Sequence, residues 1–307
     1  MRCEPAPKRD AIGDFTVVRS AKTGRRKIRL AKIAPYVHAR YCAYYATATA
    51  LQTLPKRRWS KKGREALIHC YEGSTQAWDA MREGFRNSLT PTAQAFCPYC
   101  MIREPESWDH FLPKEQFPEF AVLLSNLIYV CGPCNRKKGQ YLVGQPRQVL
   151  NPYFDAIPED VALLYVDVTI VGGIPKLRFR IAPPYAGISA PLGALAQRHF
   201  DAFELAPKLI SAGGTYLATF VEEFVERHTG PIDQAALTRE IDIRLAGLDE
   251  ASINDWRVAL LEGLEACAGL VGYINQRIHV RQAAPARPPR RRRSGVFAQR
   301  VAAAAVP

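Results

Sequence analysis

Two Cys-x-x-Cys pairs constrain this chain more than any other feature. The sequences CPYC (97–100) and CGPC (131–134) are separated by thirty residues. Two intervening residues allow both thiolates of a pair to face one ion, and four thiolates at tetrahedral positions suit structural zinc. Four unrelated buried cysteines explain the pattern less well, because each pair also contains a proline that favours a tight turn. We therefore expect one structural zinc ion, bound by Cys97, Cys100, Cys131 and Cys134.

The other cysteines and the absence of targeting signals favour metal over disulfides. The first residues, MRCEPAPKRD, lack the apolar stretch of a signal peptide, and no apolar run approaches the roughly 20 residues that span a bilayer. A soluble, cytoplasmic protein without a membrane partner is therefore expected, in a compartment that keeps thiols reduced. Neither pair lies in a thioredoxin-like context. Cys3, Cys42, Cys70 and Cys267 show no pairing pattern and are assigned no function.

The positive charge is concentrated at the two ends of the chain. Of the net charge of +13, residues 1–65 carry +13 and residues 277–307 carry +8, so the segment between them carries −8. A solvated basic surface would spread its charge more evenly, whereas two basic ends are typical of contacts with a polyanion. Nucleic acid is the partner that this distribution favours.

The N-terminal half is predicted to be helical after a short strand pair. Phe15–Leu30 is interpreted as two strands around a Lys-Thr-Gly turn. Residues 35–51 and 62–89 carry apolar side chains at helical spacing, and Thr90-Pro91 ends the second helix.

The C-terminal half begins with a predicted hairpin. Two alternating runs flank Gly172-Gly173 within residues 163–181, and helical periodicity then extends from Leu192 to Ile278 with breaks at Gly213-Gly214 and Gly230-Pro231. Residues 281–307 combine Pro, Ala and Arg without a core-forming pattern, so we expect a disordered basic tail.

Between and just after the cysteine pairs lie residues that can carry chemistry. His110 follows Asp109, and Asn126 and Asn135 are separated by eight residues. Imidazole can hold a proton near neutral pH, while carboxylate and amide oxygens suit hard cations. The other five histidines are interpreted as structural: His38, His69, His199, His228 and His279.

The segments SWDHFLPK and SNLIYVCGPCNRKKG together resemble the HNH endonuclease family in its HNN form, with zinc knuckles made of four cysteines. The resemblance covers roughly residues 95–140, and the following LNPYFD is similar to segments found after the motif in some bacterial members. As a whole, the motif is similar to that of bacterial restriction and anti-phage defence HNH nucleases. The resemblance implies an α+β fold in which a small zinc-pinned ββα-metal core is embedded in a mostly helical protein, with a β-hairpin after it.

The resemblance also implies a role for each residue. Asp109 and Asn135 would bind a catalytic Mg²⁺ or similar divalent cation, His110 would be the general base, and Asn126 would orient the loop that fixes His110. Nearby basic side chains would bind the phosphates of the nucleic acid. These side chains are Lys114, Arg136, Lys137 and Lys138. The expected regions are a basic N-terminal region (1–61), the HNH domain with its leading helix (62–160), a hairpin with helices (161–280) and the tail (281–307).

These features predict a metal-dependent endonuclease that hydrolyses phosphodiester bonds in DNA. By resemblance it would be the nuclease component of a restriction or anti-phage defence system, acting beside an ATPase or another defence protein. A zinc-stabilised nucleic-acid-binding module without catalysis needs only the cysteines and the basic ends, and an RNA-cleaving toxin would use the same site chemistry. Both alternatives stay open at this point.

Overall fold

The computed structural model describes residues 7–139, 146–158, 160–181, 187–248 and 252–283. Cys3 and residues 284–307, the larger part of the predicted disordered tail, lie outside the described residues, whereas residues 281–283 end the last helix. Eleven α-helices and four strands are described, and the strands form two separate two-stranded antiparallel sheets.

The N-terminal segment is helical, so the predicted strand pair is wrong. Helix α1 spans Ala11–Ser20 and helix α2 spans Gly24–Ala46. The side chain of Asp10 caps α1 by accepting hydrogen bonds from the backbone N–H groups of Ile12 and Gly13. The buried residues of α2 recur every three or four positions, which is the period of a helix face; they are Leu30, Ala34, Val37, Tyr41 and Tyr44. The predicted Lys-Thr-Gly turn lies where the chain passes from α1 to α2.

The boundaries of the next helices differ from those that the sequence suggests. Helix α2 passes through Pro35 and is followed by a 3-10 segment, Ala48–Thr53. The predicted helix over 62–89 is divided into α3 (Lys61–Glu72) and α4 (Gln76–Asn87), because Thr75 caps α4 by accepting a hydrogen bond from the backbone of Trp78. Helix α5 (Pro91–Ala95) then leads to the first cysteine pair.

A small sheet and a short helix follow the first cysteine pair. Strand β1 (Ser107–His110) pairs antiparallel with β2 (Leu127–Val130), and Asp109 lies opposite Ile128. Helix α6 (Gly132–Lys138) begins immediately after Cys131 and packs against β1. Two antiparallel strands followed by a helix are thus present at 107–138.

The predicted hairpin is confirmed. Strands β3 (Leu164–Val171) and β4 (Ile174–Ile181) are joined by Gly172 and Gly173, whose φ angles of +59° and +73° suit the tight turn of a twisted hairpin. The hairpin packs on the C-terminal helices, because β3 contacts α10 (Trp256–Glu265) and β4 contacts α8 (Leu205–Arg227).

The remaining helices are α7 (Ala190–Ala202), α9 (Gln234–Ala246) and α11 (Leu270–Ala283). The predicted break at Gly230-Pro231 is confirmed, but the break at Gly213-Gly214 is wrong because α8 continues through it. A Cβ atom on Gly213 would lie 3.0 Å from the ring of Phe179, so a larger residue there would require this ring to shift. Within the described residues, no single helix is long and apolar enough to cross a membrane.

One continuous hydrophobic core includes residues from both ends of the described chain, from Phe15 to Ile278. Helix α2 packs against α3 and against the loop at 118–120, so close contacts cross the expected boundary at residue 61. The basic N-terminal region and the segment with the paired cysteines therefore fold against each other.

Candidate metal centre and catalytic residues

Four buried cysteine side chains lie close together, two in the turn after α5 and two at the start of α6. The Sγ atoms of Cys97, Cys100, Cys131 and Cys134 all lie within 4.8 Å of one another. The Cys100 and Cys131 Sγ atoms are 3.9 Å apart, too far for a disulfide of about 2.05 Å. Four sulfurs placed tetrahedrally at about 2.3 Å from one ion would be separated by roughly 3.8 Å. The cluster could therefore hold one metal ion, and its geometry is consistent with structural zinc.

Backbone N–H groups in both turns of this cluster are hydrogen-bonded, in the first turn to a backbone carbonyl and in the second to a side chain. The N–H groups of Cys100 and Met101 donate to the carbonyl of Cys97, and Met101 takes the left-handed conformation with φ +56°. On the other side, the N–H of Gly132 donates to Glu106 Oε1 at 2.8 Å. Neighbouring thiols donate hydrogen bonds to Cys100 and lower its pKa, so a thiolate is favoured at that position.

Asp109 lies on β1 with its carboxylate buried. The hydroxyl of Tyr99 donates to Asp109 Oδ2 at 2.8 Å, and the ammonium group of Lys138 donates to Asp109 Oδ1 at 2.9 Å. Lys138 also donates to the carbonyl of His110 at 2.7 Å. Since Tyr99 belongs to the CPYC turn and Lys138 ends α6, these bonds join the cysteine cluster, the sheet and the helix at one carboxylate.

His110 ends β1 and has one nitrogen committed to the backbone. Its Nε2 lies 2.9 Å from the carbonyl oxygen of Ala121, which can only accept, so Nε2 carries the proton and Nδ1 carries the lone pair. The imidazole packs against the Tyr71 ring with centroids 4.4 Å apart. Burial lowers the pKa of His110 to about 4, so its imidazole is neutral near pH 7.

Asn126 is fully buried and holds the loop that follows His110. Its Oδ1 accepts from the N–H of Leu112 at 2.9 Å, and its Nδ2 donates to the carbonyls of Leu112 and Phe120 at 3.1 and 3.3 Å. The Tyr44 hydroxyl on α2 also donates to Oδ1 at 3.3 Å. The loop from 112 to 120 is therefore fastened at both ends by one amide side chain.

Asn135 lies on α6 and faces the beginning of β1. Its Nδ2 donates to Ser107 Oγ at 3.0 Å and to the carbonyl of Trp108 at 3.4 Å. Mg²⁺ usually takes one or two carboxylates together with water. Lys138 and Tyr99 already engage the Asp109 carboxylate, so the pairing of Asp109 with Asn135 as ligands of one divalent cation stays a prediction.

The expected phosphate-binding cations differ in exposure. Lys138 is 1% exposed and ion-paired, so the structure places it in the interior instead of on a nucleic-acid surface. Lys114 pairs with Glu115 and Glu72, and Lys137 pairs with Glu204. Arg136 is exposed and has no acidic partner among the described residues.

The exposed face of α2 and the segment before α3 carry a second set of cations. We call this set the basic surface; it comprises Arg25, Arg26, Lys27, Lys32, Lys56, Arg57, Arg58, Lys61 and Lys62. The guanidinium carbon of Arg57 lies 4.5 Å from the centre of the Tyr36 ring and 4.9 Å from that of Trp59. Trp59 Nε1 in turn donates to Glu119 at 2.8 Å, so the basic surface is fastened to the loop after His110.

Sequence reasoning missed the contact of Tyr99 with Asp109, although the place of Tyr99 inside the CPYC turn was visible. His199 was interpreted as structural, and the structure shows the contacts that support this. Its Nδ1 accepts from the N–H of Leu150 at 3.1 Å, and its Nε2 donates to the carbonyl of Tyr99 at 2.9 Å. Helix α7 is thereby tied to the first cysteine turn.

Comparison with known proteins gives one partial match and no family. The chain is 42% identical over 92 residues to Protein ea31 of Escherichia phage lambda, and the match covers 29% of this chain and 31% of the phage protein. The chain thus spans about a third of the length of that relative. No family model and no solved structure matches the chain.

Proposed function

We propose that the chain is a metal-dependent endonuclease of the HNH type that hydrolyses phosphodiester bonds in DNA. The observation that carries the proposal is the state of His110, a neutral imidazole at the end of β1 whose Nε2 is held by the Ala121 carbonyl and whose Nδ1 retains a lone pair. A general base must be unprotonated and held in a fixed orientation, and His110 meets both conditions near pH 7.

In this proposal, the chain's own residues position and deprotonate water. His110 Nδ1 takes a proton from a water molecule as the water oxygen bonds to the scissile phosphorus. The bond from phosphorus to the 3′ oxygen breaks, this oxygen takes a proton from solvent, and the imidazolium returns its proton to solvent. Asn126 limits the movement of His110 because it fastens the loop that carries the Ala121 carbonyl. A divalent cation bound by Asp109 and Asn135 would supply positive charge next to the phosphate. The four cysteines would hold zinc that fixes α6 against β1.

DNA is proposed as the substrate because exposed cations are concentrated on the basic surface, and phosphate neutralisation supplies most non-specific affinity for nucleic acid. The sequence resemblance further supports a place in a restriction or anti-phage defence system, beside an ATPase or another protein partner. RNA is the alternative substrate, since the same chemistry applies to its phosphodiester bonds.

A second candidate function is a zinc-stabilised nucleic-acid-binding module without catalysis. The Lys138–Asp109 ion pair favours it, because a lysine that permanently occupies the carboxylate would exclude a divalent cation. The two candidates therefore differ in whether Mg²⁺ can displace this ammonium group.

Cleavage of supercoiled plasmid tests the proposal directly. The wild-type protein, with zinc content verified, is incubated with plasmid or with structured RNA, with and without Mg²⁺ or Mn²⁺. We expect divalent-cation-dependent cleavage of DNA, and we expect His110→Ala to lose about 10²–10⁴-fold of the rate while zinc content and DNA binding persist.

The matched control is His279→Ala, which removes an exposed imidazole from α11. Equal cleavage by folded His110→Ala and wild type would remove His110 from the mechanism. Binding of DNA without cleavage under any of these conditions would favour the binding module, and cleavage of RNA alone would favour the toxin.

A further inference from the structure

A cleft of about 580 Å³ lies between the segment 146–156 and helix α7, with residues 49–52 on its other side. Neither Asp109 nor His110 lines it. Its volume falls within the range of about 300–1,000 Å³ that is usual for small-molecule sites. The cleft is therefore large enough for a ligand and separate from the proposed catalytic residues.

Arg147 lines this cleft with unsatisfied donors. It is 6% exposed, and its Nη2 donates to Asp155 Oδ1 at 2.6 Å. Its Nε and Nη1 are buried and have no hydrogen-bond partner in the part of the chain that the structure describes. Buried donors almost always find an acceptor, and leaving those of a charged group unpaired is costly. The guanidinium therefore calls for an acceptor that enters from the cleft.

The charge around Arg147 favours an anion. Arg198 lines the same cleft and donates through Nε to the carbonyl of Arg147 at 2.7 Å. Both oxygens of Asp155 are already engaged, one by Arg147 and the other by the N–H of Asn151. The cleft is thus lined by two arginines and one aspartate, which leaves a positive balance.

Helix α7 adds to this preference because its first turn reaches the cleft. Ser189, at the start of the helix, lines the cleft and makes no capping hydrogen bond with its side chain. The positive end of the helix dipole stabilises a nearby anion. This contribution is secondary to the unpaired donors of Arg147.

The remaining walls suit an organic group that carries the anion. The half-buried ring of Phe154 and the side chains of Leu192 and Leu195 give an apolar wall. Gln52 Oε1 is buried and accepts no hydrogen bond from the described residues, so a ligand with a hydroxyl or amino group would satisfy it. The cleft thus combines cationic donors, an acceptor and an aromatic ring.

We propose that this cleft binds a small phosphorylated ligand of the nucleotide class. The phosphate contacts Arg147 and Arg198, the base or sugar lies against Phe154, and a hydroxyl or amino group donates to Gln52. This site goes beyond the proposed nuclease function and does not depend on it.

Calorimetric titration of the full-length, zinc-loaded protein with adenosine 5′-monophosphate tests the proposal. We expect saturable binding of the nucleotide, and weaker binding of inorganic phosphate and of adenosine, because each lacks half of the contacts. Arg147→Lys keeps a positive charge beside Asp155 but removes the planar guanidinium donors. It should weaken nucleotide binding at least tenfold. Arg198→Gln should weaken it in the same direction. The control Arg178→Gln, on β4 outside the cleft, should bind as wild type does.

If Arg147→Lys does not fold, the Arg198→Gln variant still tests the site, because Arg198 is only half-buried. Unchanged nucleotide affinity in Arg198→Gln would overturn the proposal. So would the absence of saturable binding of nucleotide and phosphate to wild type, which would mean that water satisfies Arg147. Loss of short-duplex DNA binding in Arg198→Gln, with no binding of the free nucleotide, would assign the cleft to a polymer backbone and would also overturn it.

Discussion

The ammonium group of Lys138 lies 2.9 Å from the carboxylate of Asp109, and both side chains are almost completely buried. Burial lowers the pKa of Lys138, while the nearby Asp109 opposes that shift. The lysine thus occupies the place beside Asp109 where the proposed catalytic cation would bind.

We predict that Lys138→Met makes the protein more responsive to divalent cations. In their absence, the variant should be less stable by about 3–5 kcal/mol, because a buried carboxylate loses its partner. Thermal melts with and without Mn²⁺ should then show a larger upward shift in the variant than in wild type. The Asp109→Asn/Lys138→Met double variant should lose this shift, and Lys137→Met should behave as wild type. An equal response of all four proteins would argue against a cation site at Asp109.

Replacement of one clustered cysteine should remove the zinc and most of the stability. Apparent zinc-binding energies of about 10–16 kcal/mol exceed or match ordinary domain stabilities of about 5–15 kcal/mol, so Cys131→Ser should be zinc-free and largely unfolded. Elemental analysis and circular dichroism measure both effects. Cys267→Ser is the matched control, because that thiol is buried outside the cluster. Wild type purified without zinc, or Cys131→Ser melting like Cys267→Ser, would contradict the expectation.

His199 should make stability depend on pH in a defined window. Burial lowers its pKa from 6.5 to about 4, so the unfolded chain takes up the proton first. The contribution of His199 is fully present above about pH 6.5 and is lost as the pH falls towards about 4.

His199→Gln can keep both hydrogen bonds of this residue but cannot titrate. Between pH 7 and about pH 4.5, its unfolding free energy should therefore fall less than that of wild type, by roughly 2–3 kcal/mol. Denaturant unfolding of both zinc-loaded proteins gives the difference, and acid effects on the cysteines and on His110 are common to both. Parallel pH profiles would show that His199 does not titrate as expected.

Arg57 should contribute to DNA affinity by contacting a phosphate, because the Tyr36 and Trp59 rings pack against its guanidinium and limit its movement. Arg57→Gln should weaken binding to every sequence and reduce the slope of log affinity against log salt by about 1. Fluorescence anisotropy with a labelled duplex measures this, and Arg178→Gln should leave the slope unchanged. Point variants are needed because deleting the N-terminal segment would remove Tyr41 and Tyr44 from the core. Equal slopes for Arg57→Gln and wild type would exclude this contact.

The features predicted correctly have local causes. The two Cys-x-x-Cys pairs determine their own turns, and Gly172-Gly173 provides the positive φ angles of a hairpin, so neither needs knowledge of distant residues. The strand prediction near residue 20 failed because the tertiary partners of α2 decide which face is buried. Likewise, Gly213 does not break α8, since the Phe179 ring on the hairpin fills the space beside it.

The burial of Lys138 could have been found from helical spacing. Its position in a basic run suggested an exposed side chain, but it follows Cys134 by four residues and therefore shares a helix face with it. A cysteine that points towards the cluster directs the lysine inward as well. Its partnership with Asp109, however, depends on how β1 packs against α6, and no local pattern encodes that packing.

The hydrogen bonds around the first cysteine turn also bear on how the protein matures during synthesis. The carbonyl of Tyr99 accepts a hydrogen bond from His199 Nε2. The carbonyl of Met101 accepts one from Trp256 Nε1, which lies 155 residues further along the chain. At about 5–20 residues per second, the ribosome needs roughly eight to thirty seconds to make that stretch. Throughout this interval the CPYC turn lacks the hydrogen bond from Trp256, so this turn reaches its final set of contacts only after helix α10 has been made.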